Sequence, residues 1–103
     1  MSRFALHPGA FADIDGIREY IARDSPDAAD RMIDELFREF ELLARFPHIG
    51  HARPDLASSP LRFHIAREYL IAYAPDEKPI WIVAVLHGRR NPRILAALLR
   101  GRD

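Results

Sequence analysis

Two histidines in the β-rich half of the chain, His64 and His87, with Arg62 and Glu68 nearby in sequence, are the residues best suited to proton-transfer chemistry. Imidazole acts as general acid or base near neutral pH, and a guanidinium stabilises charge developing on a phosphate. Such a set suits cleavage of RNA through its 2′-hydroxyl, which needs a base, an acid and a cation on the scissile phosphate. His48-x-x-His51, followed by Asp55, is the nearest approach to a metal site. It lies in a proline-rich loop and lacks a helical His-x3-His spacing, so a solvated loop is expected and no metal ligand is assigned. The 103 residues include no cysteine, which excludes disulfides, thiol nucleophiles and thiolate metal sites. Gly50 and Gly88 are isolated and form no phosphate-cradling loop. Ser58-Ser59 has no Gly-x-Ser-x-Gly context and no triad around it. No cofactor is expected.

Arg89-Arg90, with Arg93 beyond, is a basic cluster able to hold carboxylates or phosphates bidentately. The chain as a whole is neutral, with 15 Lys+Arg against 15 Asp+Glu, and Lys78 is its one lysine. Residues 1–61 carry 7 basic and 11 acidic side chains, net −4, while residues 62–103 carry 8 and 4, net +4. That balance disfavours a strongly basic nucleic-acid binder, and sequence-specific nucleic-acid binding is not expected. No apolar run approaches the roughly 18–20 residues of a membrane span, so no membrane partner is expected. The start, Met1-Ser2-Arg3-Phe4, leads into His7-Pro8 and acidic residues without a signal-peptide core. A single domain over residues 1–103, acting in the cytoplasm, is the expectation.

The elements that must position these groups read clearly. Phe4 and Leu6 alternate in a short strand, and Pro8 suits the first position of a helix. Phe11, Ile14, Ile17 and Ile21 follow at helical spacing, and Gly16 within them suggests a close packing contact. Ser25-Pro26-Asp27 caps and starts a second helix, whose stripe Ala29, Met32, Ile33, Leu36, Phe40 and Leu43 runs to Phe46-Pro47. Phe37, Phe40 and Phe46 read as core, and the acidic residues of this helix as a solvated face. The tight connection predicts an antiparallel helical hairpin. Residues 47–60 are a loop. Beyond it, residues 61–66, 69–74 and 80–87 take a period of two, and short connections imply an antiparallel meander. Pro92 to Arg100 forms a terminal helix with Ile94, Leu95 and Leu98 inward. The fold class is α+β: an N-terminal strand, a two-helix hairpin packed on an antiparallel sheet in the order β-α-α-β-β-β, and a short C-terminal helix.

Regular hairpins would pair Ala66 with Tyr69, His64 with Ile71 and Arg62 with Tyr73, then Ala74 with Ile80 and Tyr73 with Trp81. One face then carries Phe63, Ile65, Leu70, Ala72, Ala74, Ile80, Ile82, Ala84 and Leu86, and should meet the helices. The other carries Arg62, His64, Tyr69, Ile71, Tyr73, Trp81, Val83, Val85 and His87. A helical hairpin covers one face only, so this second face is expected to be partly exposed and to bind a partner.

Four segments, in order, carry a likeness: Ser25-Pro26-Asp27-Ala28-Ala29-Asp30, Leu43-Ala44-Arg45-Phe46-Pro47-His48-Ile49-Gly50, Tyr69-Leu70-Ile71-Ala72-Tyr73 and Val85-Leu86-His87-Gly88-Arg89-Arg90. Together they resemble the ParE branch of the RelE/ParE toxin superfamily, over nearly the whole chain. The resemblance implies a bacterial toxin of a type II toxin–antitoxin pair, neutralised by a small ParD-like antitoxin whose C-terminal segment wraps it. ParE-like toxins are linked to poisoning of DNA gyrase, and RelE-like relatives to ribosome-dependent cleavage of mRNA. Some YoeB-like nucleases use a His, Arg and Glu set, which here would fall on Arg62, His64, His87 and Glu68. The neutral charge, the single lysine and a basic tail without an aromatic stacking residue favour inhibitory binding over catalysis. Tyr69, Tyr73, Trp81 and His87 are the expected antitoxin contacts, and Arg89 and Arg90 the expected target contacts. A binding module without toxicity, on the same scaffold, is the third reading.

Overall fold

The computed structural model describes residues 3–58 and 60–102; Ser59, of the Ser58-Ser59 pair, lies outside the described residues, as do Met1 and Ser2. The described elements are β1 (Phe4–Leu6), α1 (Pro8–Ala22), α2 (Pro26–Arg45), β2 (Arg62–Ala66), β3 (Tyr69–Ala74), β4 (Ile80–His87) and α3 (Pro92–Arg100). Among the described residues the strands form one four-stranded sheet in the order β1-β4-β3-β2. β2, β3 and β4 make the antiparallel meander, while β1 lies parallel to β4, so the sheet is mixed.

Each helix begins where its local chemistry dictates. All three have proline at the first positions, where a missing N–H costs nothing. His7 Nδ1 accepts from Gly9 N at 2.8 Å, Ser25 Oγ from Ala28 N at 3.1 Å and Asn91 Oδ1 from Arg93 N at 2.8 Å. The stripe of α2 is buried as its period predicts, from Ala29 through Leu43. In α1 the buried positions are Ala10 and Ile14, with Ile17 and Ile21 packed at the edge of the core. Phe11 is exposed rather than inward, and Phe37 and Phe46 also reach solvent, leaving Phe40 as the buried phenylalanine of the three. Phe37 still contributes, because its ring packs with those of Phe4 and Phe40 at centroid distances of 5.3–5.9 Å, edge-on to Phe4 and tilted against Phe40.

The β2–β3 register is the expected one, Arg62 opposite Tyr73 and Ala66 opposite Tyr69. The β3–β4 register is not. Tyr69 faces His87, Ala72 faces Ala84 and Tyr73 faces Ile82, so Val83 is an extra residue in a bulge. The face of β3 that meets the helices is the reverse of the sequence expectation, while Ile80 and Ile82, before the bulge, keep the expected side. Tyr69, Ile71, Tyr73, Ile80, Ile82 and Val85 pack under the helical hairpin. Phe63, Leu70, Ala72, Val83, Ala84 and Leu86 form a second core with Leu56, Leu95 and Leu99. The helices stand off a sheet far enough to need the large Tyr and Ile side chains. The opposite face carries Ala72 and Ala84, so short α3 and the loop around Leu56 can lie close and cover it. In α3 it is Leu95, Ala96 and Leu99 that turn inward, while Ile94 faces solvent.

Tyr73 shows why this face must be inside. It is 0% exposed, and its hydroxyl donates to Pro47 O at 2.7 Å and accepts from Gly50 N at 3.0 Å. Burial pushes the phenol pKa upward, so it remains a donor at neutral pH. A Cβ on Gly50 would sit 2.5 Å from that hydroxyl and 2.9 Å from Phe63 O, so only glycine fits. At the β2–β3 turn Arg67 takes a positive φ of 56°. Its guanidinium makes a two-pronged pair with Glu35 of α2, one prong at 2.8 Å, which ties the turn to the hairpin. The acidic face of α2 is thus partly engaged by the sheet.

Tyr73→Phe should lower stability by about 1–3 kcal/mol, since two buried backbone groups lose their partner; chemical denaturation measures it. The hydrogen bond from Arg67 holds the Glu35 carboxyl below the usual glutamate range. A depressed carboxylate stabilises the fold above its unfolded pKa and loses that contribution as pH falls through the folded one. The stability gap between wild type and Glu35→Gln should therefore hold steady near neutrality and close below the ordinary glutamate pKa, followed by thermal melts across acidic pH.

Candidate functional site

The residues proposed for acid–base work do not converge as one set: Glu68 and His87 border one groove, which Arg62 and His64 do not line. His64 Nε2 lies 2.8 Å from Glu39 Oε1, beneath α2. Arg62 donates to Gly50 O at 2.7 Å and His48 O at 3.3 Å, holding the loop that follows α2. His87 is on a different strand: His64 pairs with Ile71 and Ile71 with Val85, two residues short of it. Strand spacing then puts the two histidines about 10 Å apart across the sheet and about 7 Å along it. One phosphate cannot contact both at hydrogen-bond distance. The loop histidines are equally dispersed in role, since Asp55 is held by Arg53 through bonds of 3.0 and 2.8 Å, and the backbone of His51 pairs with Phe63. Among the described residues no three metal-ligating side chains come together.

The expected exposed aromatic face is corrected in the same way. Tyr69 and Tyr73 are buried beneath the helices, because the hairpin packs on the face of β3 that carries their large rings. Trp81 is 41% exposed, with the His7 ring 5.9 Å away. His87 is half-buried, edge-on to Tyr69 at 5.8 Å, and its Nδ1 accepts from Arg89 N at 3.2 Å. Tyr69 keeps a raised phenol pKa, first through burial and then through Glu68.

The structure does assemble a different site. A groove of about 790 Å³ runs between α1, the end of β4 and α3, with Gly16, Ile17 and Tyr20 on one wall and His87, Arg89 and Arg90 on the other. A second hollow of about 510 Å³ lies on the far side, against Arg53, Ile65, Leu70 and Leu95. Glu68, Tyr69, Arg89 and Arg90 border both, so the two arginines stand on the ridge between them. They are exposed, and neither makes an ion pair among the described residues. Gly88 N donating to Glu68 O at 2.8 Å, and Arg90 N to His87 O at 3.1 Å, fix the turn that carries them.

The base of the groove is closed by residues that periodicity did not single out. Arg102 and Asp13 form a two-pronged ion pair at 2.5 and 2.7 Å, both largely buried. Asp13 also accepts from Val85 N at 2.9 Å, and Arg102 donates to Val83 O at 3.2 Å. β1 pairs only with Ile80–Ile82, so these bonds satisfy the edge of β4 where β1 has ended. Gly9 makes room for the guanidinium, since a Cβ there would come within 2.5 Å of it. Asp13 borders the apolar stripe of α1, and Arg102 follows the last helix, so no spacing rule connects residues so far apart in sequence.

The described residues thus form a sheet with a helical hairpin on one face, a short helix on the other, and two exposed arginines on the ridge between the hollows. Residues 4–92 match the model of the ParE toxin of the type II toxin–antitoxin system parDE. The chain belongs to that family, within the RelE/ParE superfamily of toxins. It is 35% identical over 82 residues to Toxin RelE2 of Caulobacter vibrioides, covering 79% of this chain and 89% of that protein. It is 30% identical over 101 residues to Toxin ParE2 of Mycobacterium tuberculosis, covering 97% and 94% respectively. A chain of the chromosomal ParDE system of P. aeruginosa shares the fold, with TM-score 0.66 and 20% identity over 84% of this chain and 98% of that one.

Arg102→Ala should cost about 1–3 kcal/mol, because it leaves a largely buried carboxylate and a strand-edge carbonyl without their charged donor. Hydrogen exchange should show the loss first in α3 and the end of β4, with α2 protected as in wild type.

Proposed function

We propose that this toxin is neutralised by a cognate ParD-like antitoxin and inhibits growth by binding DNA gyrase, without cutting RNA. The observation that carries this reading is the contrast between two sets of charged side chains. Arg62 and His64 are spent on holding α2 and its following loop, whereas Arg89 and Arg90, without an ion pair among the described residues, project from a turn held by backbone hydrogen bonds. Planar guanidinium groups in that setting recognise carboxylates or phosphates bidentately and need no proton transfer. The match to a ParE family model over residues 4–92 supports the gyrase branch.

The antitoxin contacts follow the exposed parts of the original set. Trp81 offers an apolar anchor on the outer face, and His87 lines the groove. Tyr69 contributes from below as part of the groove wall, and Tyr73 acts only through the core.

Changing Arg89 and Arg90 together to Ala should abolish growth inhibition on induction while leaving the melting temperature within a few degrees of wild type, as surface changes do. His64→Ala should retain most of the toxicity. Gyrase supercoiling should be inhibited by purified wild type and spared by the double variant. The opposite pattern, with activity lost at His64 or His87 and ribosome-dependent mRNA cleavage by wild type, would establish a RelE-like endonuclease instead. A wild-type chain that binds antitoxin but leaves growth unaffected would establish a binding module.

A further inference from the structure

The neutral total charge conceals a segregation that the fold makes spatial. Residues 86–102 hold five arginines and no aspartate or glutamate. One of them, Arg102, is engaged by Asp13 inside the fold. The other four, Arg89, Arg90, Arg93 and Arg100, are exposed, and none makes an ion pair among the described residues. They share one structural unit, the turn after β4 and the α3 helix that it leads into. Helix stability does not account for them. A helix N-terminus favours anions, yet α3 has no acidic residue in its first turn, carries Arg93 there and follows directly on Arg89 and Arg90. Arg100 alone sits at the end where the dipole favours a cation. Three like charges gathered where the helix repels them destabilise the free protein, and an anion bound across them relieves that repulsion.

The arrangement selects the anion. Arg93 and Arg100 are seven residues apart, so they stand on one edge of α3, about 10 Å from each other along its axis. Arg89 and Arg90 extend the charge beyond the helix start. Double-stranded DNA presents one negative charge per ~1.7 Å of its axis, about six over the same length, so a row of cations meets phosphates in any register. Single strands are held instead by aromatic rings that stack on bases. The α3 sequence contains no aromatic residue, and Ile94 and Ala97 are the apolar side chains it exposes. Asn91 takes the first backbone N–H groups of α3, so contact falls to the guanidinium groups, which grip phosphate oxygens bidentately and read no base. We propose that the turn after β4 and the outer edge of α3 form a sequence-independent contact surface for the phosphate backbone of duplex DNA. Arg93 and Arg100 have no part in the target contact assigned above, so the inference goes beyond that reading. It places the toxin on the substrate of the enzyme it is proposed to inhibit.

Fluorescence anisotropy with the purified toxin and a short labelled duplex tests this in the absence of gyrase and antitoxin. Two duplexes of unrelated sequence should bind equally. Log affinity should fall against log salt with a slope of about −3 to −4, as four phosphate contacts require. Arg93→Ala/Arg100→Ala should weaken binding about tenfold per lost contact near 0.1 M salt and flatten the slope by about two. Arg31→Ala/Arg38→Ala removes the same charge from exposed positions of α2, on the other side of the sheet, and should leave affinity and slope as in wild type. Arg93→Glu should melt no lower than wild type, since it replaces a dipole clash with a favourable contact, and should still lose binding. That variant separates lost contact from lost folding. Wild-type binding by the α3 double variant, an equal loss in the α2 control, or no duplex binding at low salt would overturn the proposal. So would tighter binding to the single strand, or binding confined to phosphatidylserine vesicles. A toxin that inhibits gyrase without binding DNA would overturn this inference and leave the toxin reading standing. One that binds DNA through α3 and spares gyrase would do the reverse.

Discussion

The sheet of this toxin is apolar on both faces, and that constraint organises the rest of the molecule. β3 is buried from Tyr69 through Tyr73, with alternate side chains entering two separate cores. A helical hairpin satisfies one face and cannot reach the other. The second face is covered by α3 and by the loop around Leu56, neither of which has the apolar area to stand alone. Their docking depends on close approach over Ala72 and Ala84, and on the ion pair that fastens Arg102 to α1. The first helix and the end of the described chain are thereby joined across the edge of β4.

The surface proposed for target contact is a by-product of that closure. For α3 to fold back over the sheet, the chain must turn sharply after His87, and the turn residues are Arg89 and Arg90. They are held by backbone bonds to Glu68 and His87, so the guanidinium groups are presented from a fixed base instead of a loose tail. The groove beside them exists because β1 is three residues long and β4 is eight. Where β1 stops, α1 begins to cross, and the space left between helix and strand end is the groove. Preorganisation of this kind reduces the ordering cost of binding at such a surface.

Much of the fold was legible because it rests on local chemistry. The proline starts, the Ser25 cap, the stripe of α2 and the β2–β3 register all follow from spacing and turn length. The β4 bulge was not legible. A single extra residue at Val83 shifts the pairing while leaving the pattern of β4 wholly apolar, and a run apolar on both sides carries no alternation from which to read a face. Tyr69 and Tyr73 are expected at the surface for a different reason, since the wholly apolar face of β3 reads as the one that meets the helices. Polar hydroxyls on large rings read equally well as interface anchors or as core residues, and the partners that decide for Tyr73, Pro47 and Gly50, lie far away in sequence.

The sequence by itself determined the elements, their order, the helical hairpin, the absence of cysteine chemistry and the family, since each depends on residue type and short-range spacing. The arginine cluster at residues 89 and 90 was also visible there. Only the tertiary structure decided which face of the sheet is inside and that His64 and His87 do not share a site. It alone brought Asp13 to Arg102, and it alone left Gly16 bare on the wall of a groove. Those outcomes depend on contacts between residues tens of positions apart, set by a bulge and by the volumes that two cores can accept, and no periodicity encodes them.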